Sequence, residues 1–321
     1  MGLHVPPSRP SGLTSRAAIG YAPTAVLGLP LQKYRYFCGL AALVTAAIAC
    51  SPASGNPHAQ SPERQAEAEY DLAREYFYKG NARVGLDHAL KATQLDERNA
   101  KALYFTAAIY LSFCSGDEGL RASDCKMKEA EKYARQALQV DGTFRDARNL
   151  LGNVLILEEN FKEAVLTLEP LTKDPSYTAV HLAWGNLGWA QVLEGRVDEG
   201  IASLRNAVTQ PKFCVGFYRL GMAYEKKGDL PQAEQNLTQA LQVDSPDCQN
   251  LQDAWRARGE VRLKLGHTPD ACADLGKCRD LSGTTDAGKS CAQLFSKSAC
   301  GNVPSRPQSS AARLEQSRRS T

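Results

Sequence analysis

The stretch WGNLG at residues 184–188 returns as FYRLG at residues 217–221. Beyond each copy, at equal distances, come a turn glycine, a small residue, a leucine and an alanine: Gly195, Gly200, Leu204 and Ala207 in the first copy, and Gly228, Ala233, Leu237 and Ala240 in the second. A period of about 34 residues with small residues at fixed helix positions is typical of stacked helical hairpins. The small residues let two antiparallel helices touch, and the large ones fill the groove of the next hairpin. The repeat therefore predicts an all-α solenoid, a fold whose stacked units offer a surface to another protein.

The composition of the chain bounds its partners and its compartment. The 321 residues, 43% of them hydrophobic, are enough for one solenoid or about two ordinary domains. With 38 basic and 35 acidic residues the net charge is +3, which gives no reason to expect nucleic acid or an anionic lipid surface as partner. The informative excess is the 10 cysteines. A reducing cytosol rarely supports so many unless they bind metal or carry out redox chemistry.

Residues 33–50, KYRYFCGLAALVTAAIAC, contain the parts of a secretory signal. A basic patch precedes an apolar run that is too short to span a bilayer, which needs about 20 apolar residues. The final Ala-Ile-Ala-Cys resembles a bacterial lipobox, which implies that Cys50 is lipidated and becomes the mature N-terminus. Ala47 stands where that motif usually has leucine, so a signal without lipidation stays open. Ser51 after the cysteine resembles the enterobacterial sorting pattern for the outer membrane, with the protein facing the periplasm.

The rest of the chain divides by composition. Residues 1–50 are predicted to be a disordered leader followed by a signal peptide cleaved before Cys50, and residues 1–32 also fit a translation start assigned too far upstream. Residues 51–60 are predicted to be a tether, residues 61–300 the solenoid, and residues 301–321 a disordered tail. Ser61 followed by proline and glutamate is a helix start signal.

Six hairpins can be placed, beginning near residues 66, 100, 145, 181, 214 and 252, with a last helix at 284–298 to cover the exposed end. The pattern Trp-x-x-Leu-Gly, then alanine, leucine and alanine at set distances, resembles the tetratricopeptide repeat over residues 66–280. That resemblance implies a right-handed superhelical solenoid of about six repeats with a C-terminal capping helix. Thr106 and Arg258 depart from it, because both stand where the repeat has leucine.

In tetratricopeptide solenoids the first helix of each hairpin lines a concave groove that binds a partner. The resemblance assigns this role to Tyr70, Arg74, Phe77, Tyr78, Tyr104, Leu111, Asn149, Asn153, Ile156, Trp189, Val192, Tyr218 and Met222. The alternative for any of these residues is packing between hairpins. The carboxylate clamp of chaperone-binding relatives needs Lys and Asn at defined positions, and only Asn149 and Asn153 fit it. An apolar, aromatic groove instead suits an amphipathic helix or an extended segment.

Two cysteine pairs are expected within and between the hairpins. Cys114 and Cys125 bracket the extra residues that lengthen the second hairpin, and a disulfide there would stabilise the insertion by about 2–3 kcal/mol. Cys214 begins one first helix and Cys248 precedes the next, so both lie on the same edge of the solenoid and can pair.

The last four cysteines lie on two antiparallel helices and can form a nested set. Going back from Cys278 to Cys272 covers about 9 Å of helix, and going forward from Cys291 to Cys300 covers about 13 Å. Cys278–Cys291 and Cys272–Cys300 therefore come into register, although spacing alone does not prove connectivity. Zinc is the rival interpretation, but no Cys-x-x-Cys occurs, so neither a metal site nor redox catalysis is expected.

The sequence offers no recognisable active site. The five histidines are scattered, and Gly-x-Ser-x-Gly, His-Glu-x-x-His and phosphate-loop motifs are absent. The chain is therefore predicted not to be an enzyme, and to bind a protein rather than a cofactor, a metal, a small-molecule substrate or a nucleic acid.

The order of lipobox, six repeats and a cysteine-bearing final helix, with Cys278…Gly283-Thr284-Thr285-Asp286…Cys291, resembles the pilotin lipoproteins of type IV pili, in particular the branch that supports social gliding motility. The resemblance implies a protein that helps the outer-membrane secretin to insert or oligomerise, and so supports pilus biogenesis and motility. Two alternatives remain. One is a scaffold for outer-membrane protein insertion or envelope maintenance, and the other is a peptidoglycan-linked or enzyme-adaptor protein, since a fold does not determine its client.

Overall fold

The structure is a computed structural model that describes residues 61–114, 121–298 and 300. These residues belong to one compact unit. The expected leader, signal peptide, lipidated Cys50, tether and tail lie outside the described residues.

The described residues form helices arranged as six successive hairpins. In chain order the pairs are α1 (Pro62–Tyr78) with α2 (Ala82–Leu95), α3 (Ala100–Phe113) with α4 (Met127–Val140), α5 (Arg145–Leu157) with α6 (Phe161–Thr172), α7 (Val180–Glu194) with α8 (Val197–Ala207), α9 (Cys214–Lys227) with α10 (Leu230–Gln242), and α12 (Gln252–Lys264) with α13 (Thr268–Leu281). A short helix α11 (Pro246–Gln249), which the repeat does not predict, precedes the sixth hairpin. Helix α14 (Asp286–Lys297) packs on α13 and α12, where a capping helix was expected.

Local signals explain where the helices begin and end. The Ser61 side chain accepts a hydrogen bond from the Arg64 amide at 3.4 Å, and proline occupies the first turn of α1. Helices α7 and α9 end at Gly195 and Gly228, whose φ angles are 99° and 88°. A residue with a Cβ is strained in this left-handed conformation, so glycine allows the tight turn into the second helix.

Small residues set the distance between the two helices of a hairpin. A Cβ atom added to Gly188 would lie 2.8 Å from the carbonyl oxygen of Gly200, and one added to Gly221 would lie 2.6 Å from Cγ of Leu237. Both distances are shorter than van der Waals contact, so a larger side chain would push the helices apart. The role expected of these small residues is confirmed.

The contacts between hairpins show which helices face inward. Each first helix packs on the first helix of the next hairpin, as α5 does on α7 and α7 on α9. Among the described helices, successive second helices do not approach each other to the same extent. The first helices are therefore closer together and lie on the inside of the curve. We call the face formed by α1, α3, α5, α7, α9 and α12 the inner wall.

Both departures from the repeat have local partners. The hydroxyl of the fully buried Thr106 donates to the carbonyl of Ala102 at 2.8 Å. The Arg258 guanidinium donates to both carboxylate oxygens of Asp274, at 2.9 and 2.8 Å, and Arg262 donates to the same carboxylate at 2.8 Å. Arg258 and Asp274 are only 8% and 2% exposed. A buried ion pair thus replaces an apolar contact of the ordinary repeat.

The structure brings together the same four cysteine pairs that the sequence favours. Their Cα–Cα distances are 4.5 Å for Cys114–Cys125, 5.7 Å for Cys214–Cys248, 5.4 Å for Cys272–Cys300 and 6.0 Å for Cys278–Cys291. All four lie within the range that a disulfide bridges. Two of these bonds tie α14 and Cys300, three residues beyond its end, to α13, so the end of the solenoid is covalently closed.

No helix within the described ranges is both long and apolar enough to cross a membrane.

Candidate protein-binding groove

Most of the residues predicted to line a groove lie at least partly exposed on the inner wall. They are Tyr70, Arg74, Tyr78, Tyr104, Asn149, Asn153, Trp189, Tyr218 and Met222. Their positions follow the helical period, which brings residues four apart onto one side of each first helix.

Four of the predicted groove residues instead belong to the core. Phe77, Leu111, Ile156 and Val192 are 3%, 6%, 5% and 1% exposed, so a partner cannot reach them. Each follows by four residues the small residue that contacts the second helix, and therefore points toward that helix. A Cβ added to Gly200 would in fact meet Cγ2 of Val192 at 2.4 Å. For these positions the groove prediction is wrong, and packing within the hairpin is their role.

An aromatic cluster occupies the N-terminal end of the inner wall. The rings of Tyr70, Phe77 and Tyr78 lie 5.8, 5.5 and 6.4 Å from the ring of Phe105, centroid to centroid. Arg74 adds a cation–π contact at 5.6 Å from the Tyr70 ring. Tyr78 is 59% exposed although it belongs to this cluster. Exposed aromatic side chains that are held in place by neighbouring rings often contribute much of the binding energy at protein interfaces.

A polar ladder crosses the middle of the wall. The Asn186 side-chain NH₂ donates to the side-chain oxygen of Asn149 at 3.0 Å, and Arg219 donates to the side-chain oxygen of Asn186 at 2.7 Å. The guanidinium can only donate, so the Asn186 oxygen must face it and the NH₂ must face Asn149. Asn149 was predicted from sequence, whereas Asn186 and Arg219 were missed. Burial lowers the pKa of Arg219 to about 10, so it stays charged at neutral pH.

The C-terminal end of the wall combines apolar and paired charged groups. Tyr218 and Met222 pack partly buried against the core of hairpins four to six, and burial raises the pKa of Tyr218 to about 12. Arg256, on α12, donates to Asp253 at 3.3 Å and to Glu260 at 2.8 Å. Trp189 contacts the cores on both sides of the middle of the solenoid and so joins them.

A polar recess of about 280 Å³ lies between the loops that precede α5 and α7. Carboxylates of these two loops are engaged by neighbouring groups. Asp141 accepts from the hydroxyl of Thr143 at 2.6 Å, and Asp174 accepts from the hydroxyl of Ser176 at 2.6 Å and from Arg145 at 2.5 Å. The Ser176 hydroxyl, followed by Arg145 and the Ser176 amide, lowers the pKa of Asp174 to about 2. These bonds shape the loops, and they place no nucleophile beside a free acid or base.

Within the part of the chain that the structure describes, no group of three or more His, Cys, Asp or Glu residues is placed to hold a metal ion. The inner wall offers partly exposed aromatic rings, amides and arginines on a helical surface.

Comparison with known proteins identifies the fold. Residues 216–247 match the tetratricopeptide repeat model. PilW, described as a widely conserved type IV pilus biogenesis factor, is similar with a TM-score of 0.57 and 20% identity, over 70% of this chain and 96% of that one. PilF of Pseudomonas aeruginosa is similar with a TM-score of 0.55 and 15% identity, over 73% of this chain and all of that one (100%). A chain of the Cut9–Hcn1 hetero-tetramer of the APC/C is similar with a TM-score of 0.60 and 16% identity, over 75% of this chain and 43% of that one.

No curated protein matches the sequence significantly. At these identities the structural likenesses establish the fold and nothing further. The expected fold class, an all-α solenoid of tetratricopeptide repeats with a capping helix, is confirmed. The chain thus carries a tetratricopeptide-repeat scaffold, a kind of domain that binds protein partners.

Proposed function

We propose that this protein is an outer-membrane-anchored, periplasm-facing scaffold that assists assembly of the type IV pilus secretin. The observation that carries the proposal is the inner wall, where exposed Tyr78 and the partly exposed Tyr104, Trp189 and Tyr218 form an aromatic surface on six rigid hairpins. Such a surface suits an amphipathic or extended segment of another protein.

Three further observations support this assignment. The fold is similar to that of the pilus biogenesis factor PilW along 96% of the PilW chain. Eight cysteines in four bonded pairs fit an oxidising compartment such as the periplasm. The lipobox-like residues ending at Cys50 supply the expected anchor.

The mechanism that follows needs no covalent chemistry. The groove holds a segment of the secretin subunit, and the lipid keeps the complex at the membrane in which the secretin assembles. Binding lowers the concentration of aggregation-prone free subunits, and tethering raises the effective concentration of bound subunits at the membrane.

The test is a deletion of the gene, with heat-resistant secretin multimers in the membrane fraction as the readout. We expect the multimers to be lost in the deletion, restored by the wild-type gene and reduced with Tyr78→Ala. Leu166→Ala is the matched control, because Leu166 is 65% exposed and lies on the second helix of its hairpin, away from the inner wall. Normal multimers and pili in the deletion would contradict the proposal. If outer-membrane integrity were lost as well, the envelope-maintenance alternative would gain support.

The anchor is tested separately by Cys50→Ala. We expect this variant to appear in the soluble periplasmic fraction, because the acyl chains that hold the protein at the membrane are gone. Cys38→Ala, in the same apolar run, should leave the protein membrane-bound. If Cys50→Ala still fractionates with outer membranes, lipidation at this residue is not the anchor.

A further inference from the structure

Within the ranges that the structure describes, Arg219 of the inner wall forms no ion pair with a carboxylate, whereas Arg74 and Arg256 do. Arg74 lies 3.8 Å from Asp71, and Arg256 is bonded to Asp253 and Glu260. Among the described residues, Arg219 has a single hydrogen-bond partner, the neutral side chain of Asn186.

The sequence around Arg219 explains its isolation. The positions three and four residues away on the same helix face are Val215, Gly216, Met222 and Ala223, none of which can carry a negative charge. On the neighbouring first helix, α7, the residue that meets the guanidinium is an asparagine. Neither α9 nor α7 therefore supplies a carboxylate to compensate the charge of Arg219.

The ladder nevertheless holds Arg219 in a defined place. Asn186 is 9% exposed and is itself bonded to Asn149, so Nη1 of Arg219 donates to an acceptor that is held in place. Nε and Nη2 of Arg219 have no acceptor within the described residues, and the side chain is partly exposed on the wall. Two parallel N–H groups in this geometry match the two oxygens of a carboxylate.

The surroundings of the guanidinium favour such a ligand. Burial lowers the pKa of Arg219, because its charged guanidinium is partly removed from water. A carboxylate supplied by a partner would restore the missing counter-charge where water is partly excluded, and charge-assisted bonds are strongest there.

We propose that Arg219, positioned by Asn186 and Asn149, anchors an acidic side chain within the polypeptide segment that occupies the inner wall. This inference rests on the groove being a protein-binding site, as in the proposed function, and adds the chemistry that it selects. The bound segment then has side chains that pack on the aromatic rings of the inner wall, and one Asp or Glu that faces the fifth hairpin.

An internal side chain, rather than a chain terminus, follows from the position of Arg219. The inner wall continues through hairpins one to four on one side and through hairpin six on the other. A segment that lies along the whole wall, from Tyr78 on α1 to α12 in hairpin six, passes Arg219 and does not stop there. The lysines that a clamp for C-terminal carboxylates requires are also absent from the groove positions.

The test uses the full chain labelled with [¹⁵N]arginine, in which the Nε–H signal of each arginine reports its own ligand. The signal of Arg219 is assigned from its absence in Arg219→Lys, a variant that keeps the charge and the fold. The probes are three tripeptides: N-acetyl-Phe-Glu-Phe-amide, N-acetyl-Phe-Gln-Phe-amide and N-acetyl-Phe-Gln-Phe with a free C-terminal carboxylate.

We expect the glutamate peptide to shift the Arg219 signal saturably, with an affinity at least about tenfold higher than that of the glutamine amide. The signal of Arg256 should stay in place, because its carboxylates are already present. An unmoved Arg219 signal, or equal shifts with glutamate and glutamine, refutes the proposal. A stronger shift with the free C-terminal carboxylate than with the internal glutamate also overturns it, in favour of terminus recognition.

The outcome is separable from that of the proposed function. Secretin multimers that form without this protein, together with a saturable Arg219 shift, would leave the carboxylate site standing and remove the secretin as client. If the multimers require this protein but no peptide shifts the Arg219 signal, the proposed function is supported and the carboxylate site is refuted.

Discussion

Replacing Asp274 by alanine should destabilise the sixth hairpin far more than an ordinary surface change. Asp274 is 2% exposed and accepts three hydrogen bonds from Arg258 and Arg262. Without it, Arg258 is left buried with only the Thr238 hydroxyl at 3.2 Å, whereas Arg262 keeps Glu234 at 2.7 Å. An uncompensated buried charge of this kind costs about 3–5 kcal/mol.

The expected loss can be read from urea unfolding of the purified, disulfide-intact protein at neutral pH. With a slope of about 2–3 kcal/mol per molar urea, the midpoint for the segment that includes hairpin six should fall by about 1–2 M. Glu75→Ala is the matched control, since Glu75 pairs with Lys79 on the exposed face of α1. We expect that control to have no resolvable effect, because exposed ion pairs contribute little.

The double variant Arg258→Leu with Asp274→Leu separates the charge from the volume of these side chains. Leucine is the residue that the repeat ordinarily has at position 258, and replacing a buried ion pair by apolar groups is often neutral or stabilising. We expect the double variant to unfold at the wild-type midpoint or above it. A single Asp274→Ala variant as stable as the control, or a double variant as weak as the single one, would refute the reasoning from buried charge.

Three further predictions concern packing, cross-links and pH. Gly221→Val should cost about 1–3 kcal/mol by overpacking the fifth hairpin, while Gly142→Ala, where a Cβ meets nothing closer than 3.7 Å, should leave the urea midpoint unchanged. Removing the bond between Cys278 and Cys291 with two serines should lower stability by about 3 kcal/mol, as the chain-entropy relation gives for a short loop, and fully reduced wild-type protein should lose more, because all four bonds are then broken. Hydrogen bonds depress the pKa of Asp174 to about 2 in the folded state, so its contribution to the free energy of unfolding is present above the unfolded pKa and is lost as the pH falls from about 4 to 2. The urea midpoint of the wild-type protein should therefore decline more steeply in that window than the midpoint of Asp174→Asn. Parallel curves for the two proteins would show that these bonds do not contribute to stability.

The hairpins were predictable because one physical constraint recurs at a fixed spacing. Wherever two helices touch, the chain has glycine or alanine, and Gly188 and Gly221 leave no room for more. Short helix α11 escaped prediction because it interrupts the repeat, and four residues carry no helical period. The ion pair between Asp274 and Arg258 could not be predicted either. The sequence shows that an arginine replaces the usual leucine, but it does not show which distant residue pairs with that charge.

The groove was predicted only in part, for reasons that differ by residue. Family resemblance places Val192 and Phe77 on the inner wall. Each lies four residues after the small residue that contacts the second helix, so its side chain is on the same helix face and is buried in the core. Arg219 was missed although a signal existed. It has no acid three or four residues away, whereas Arg256 has Asp253 and Glu260 at those spacings. A search for arginines without such neighbours would have found it.

The cross-links in the C-terminal half also determine how the protein would respond to tension. Cys214–Cys248 closes a sequence separation of 34 and Cys272–Cys300 one of 28, and the Cys278–Cys291 bond is nested inside the latter. At about 3.5 Å per extended residue, these bonds withhold about 200 Å of chain from any pull along the backbone. Under a load applied between its two ends, the N-terminal hairpins would therefore lengthen except across the Cys114–Cys125 loop. Hairpin five and the segment from Cys272 to Cys300 would resist extension, with α12 between them as an extensible link.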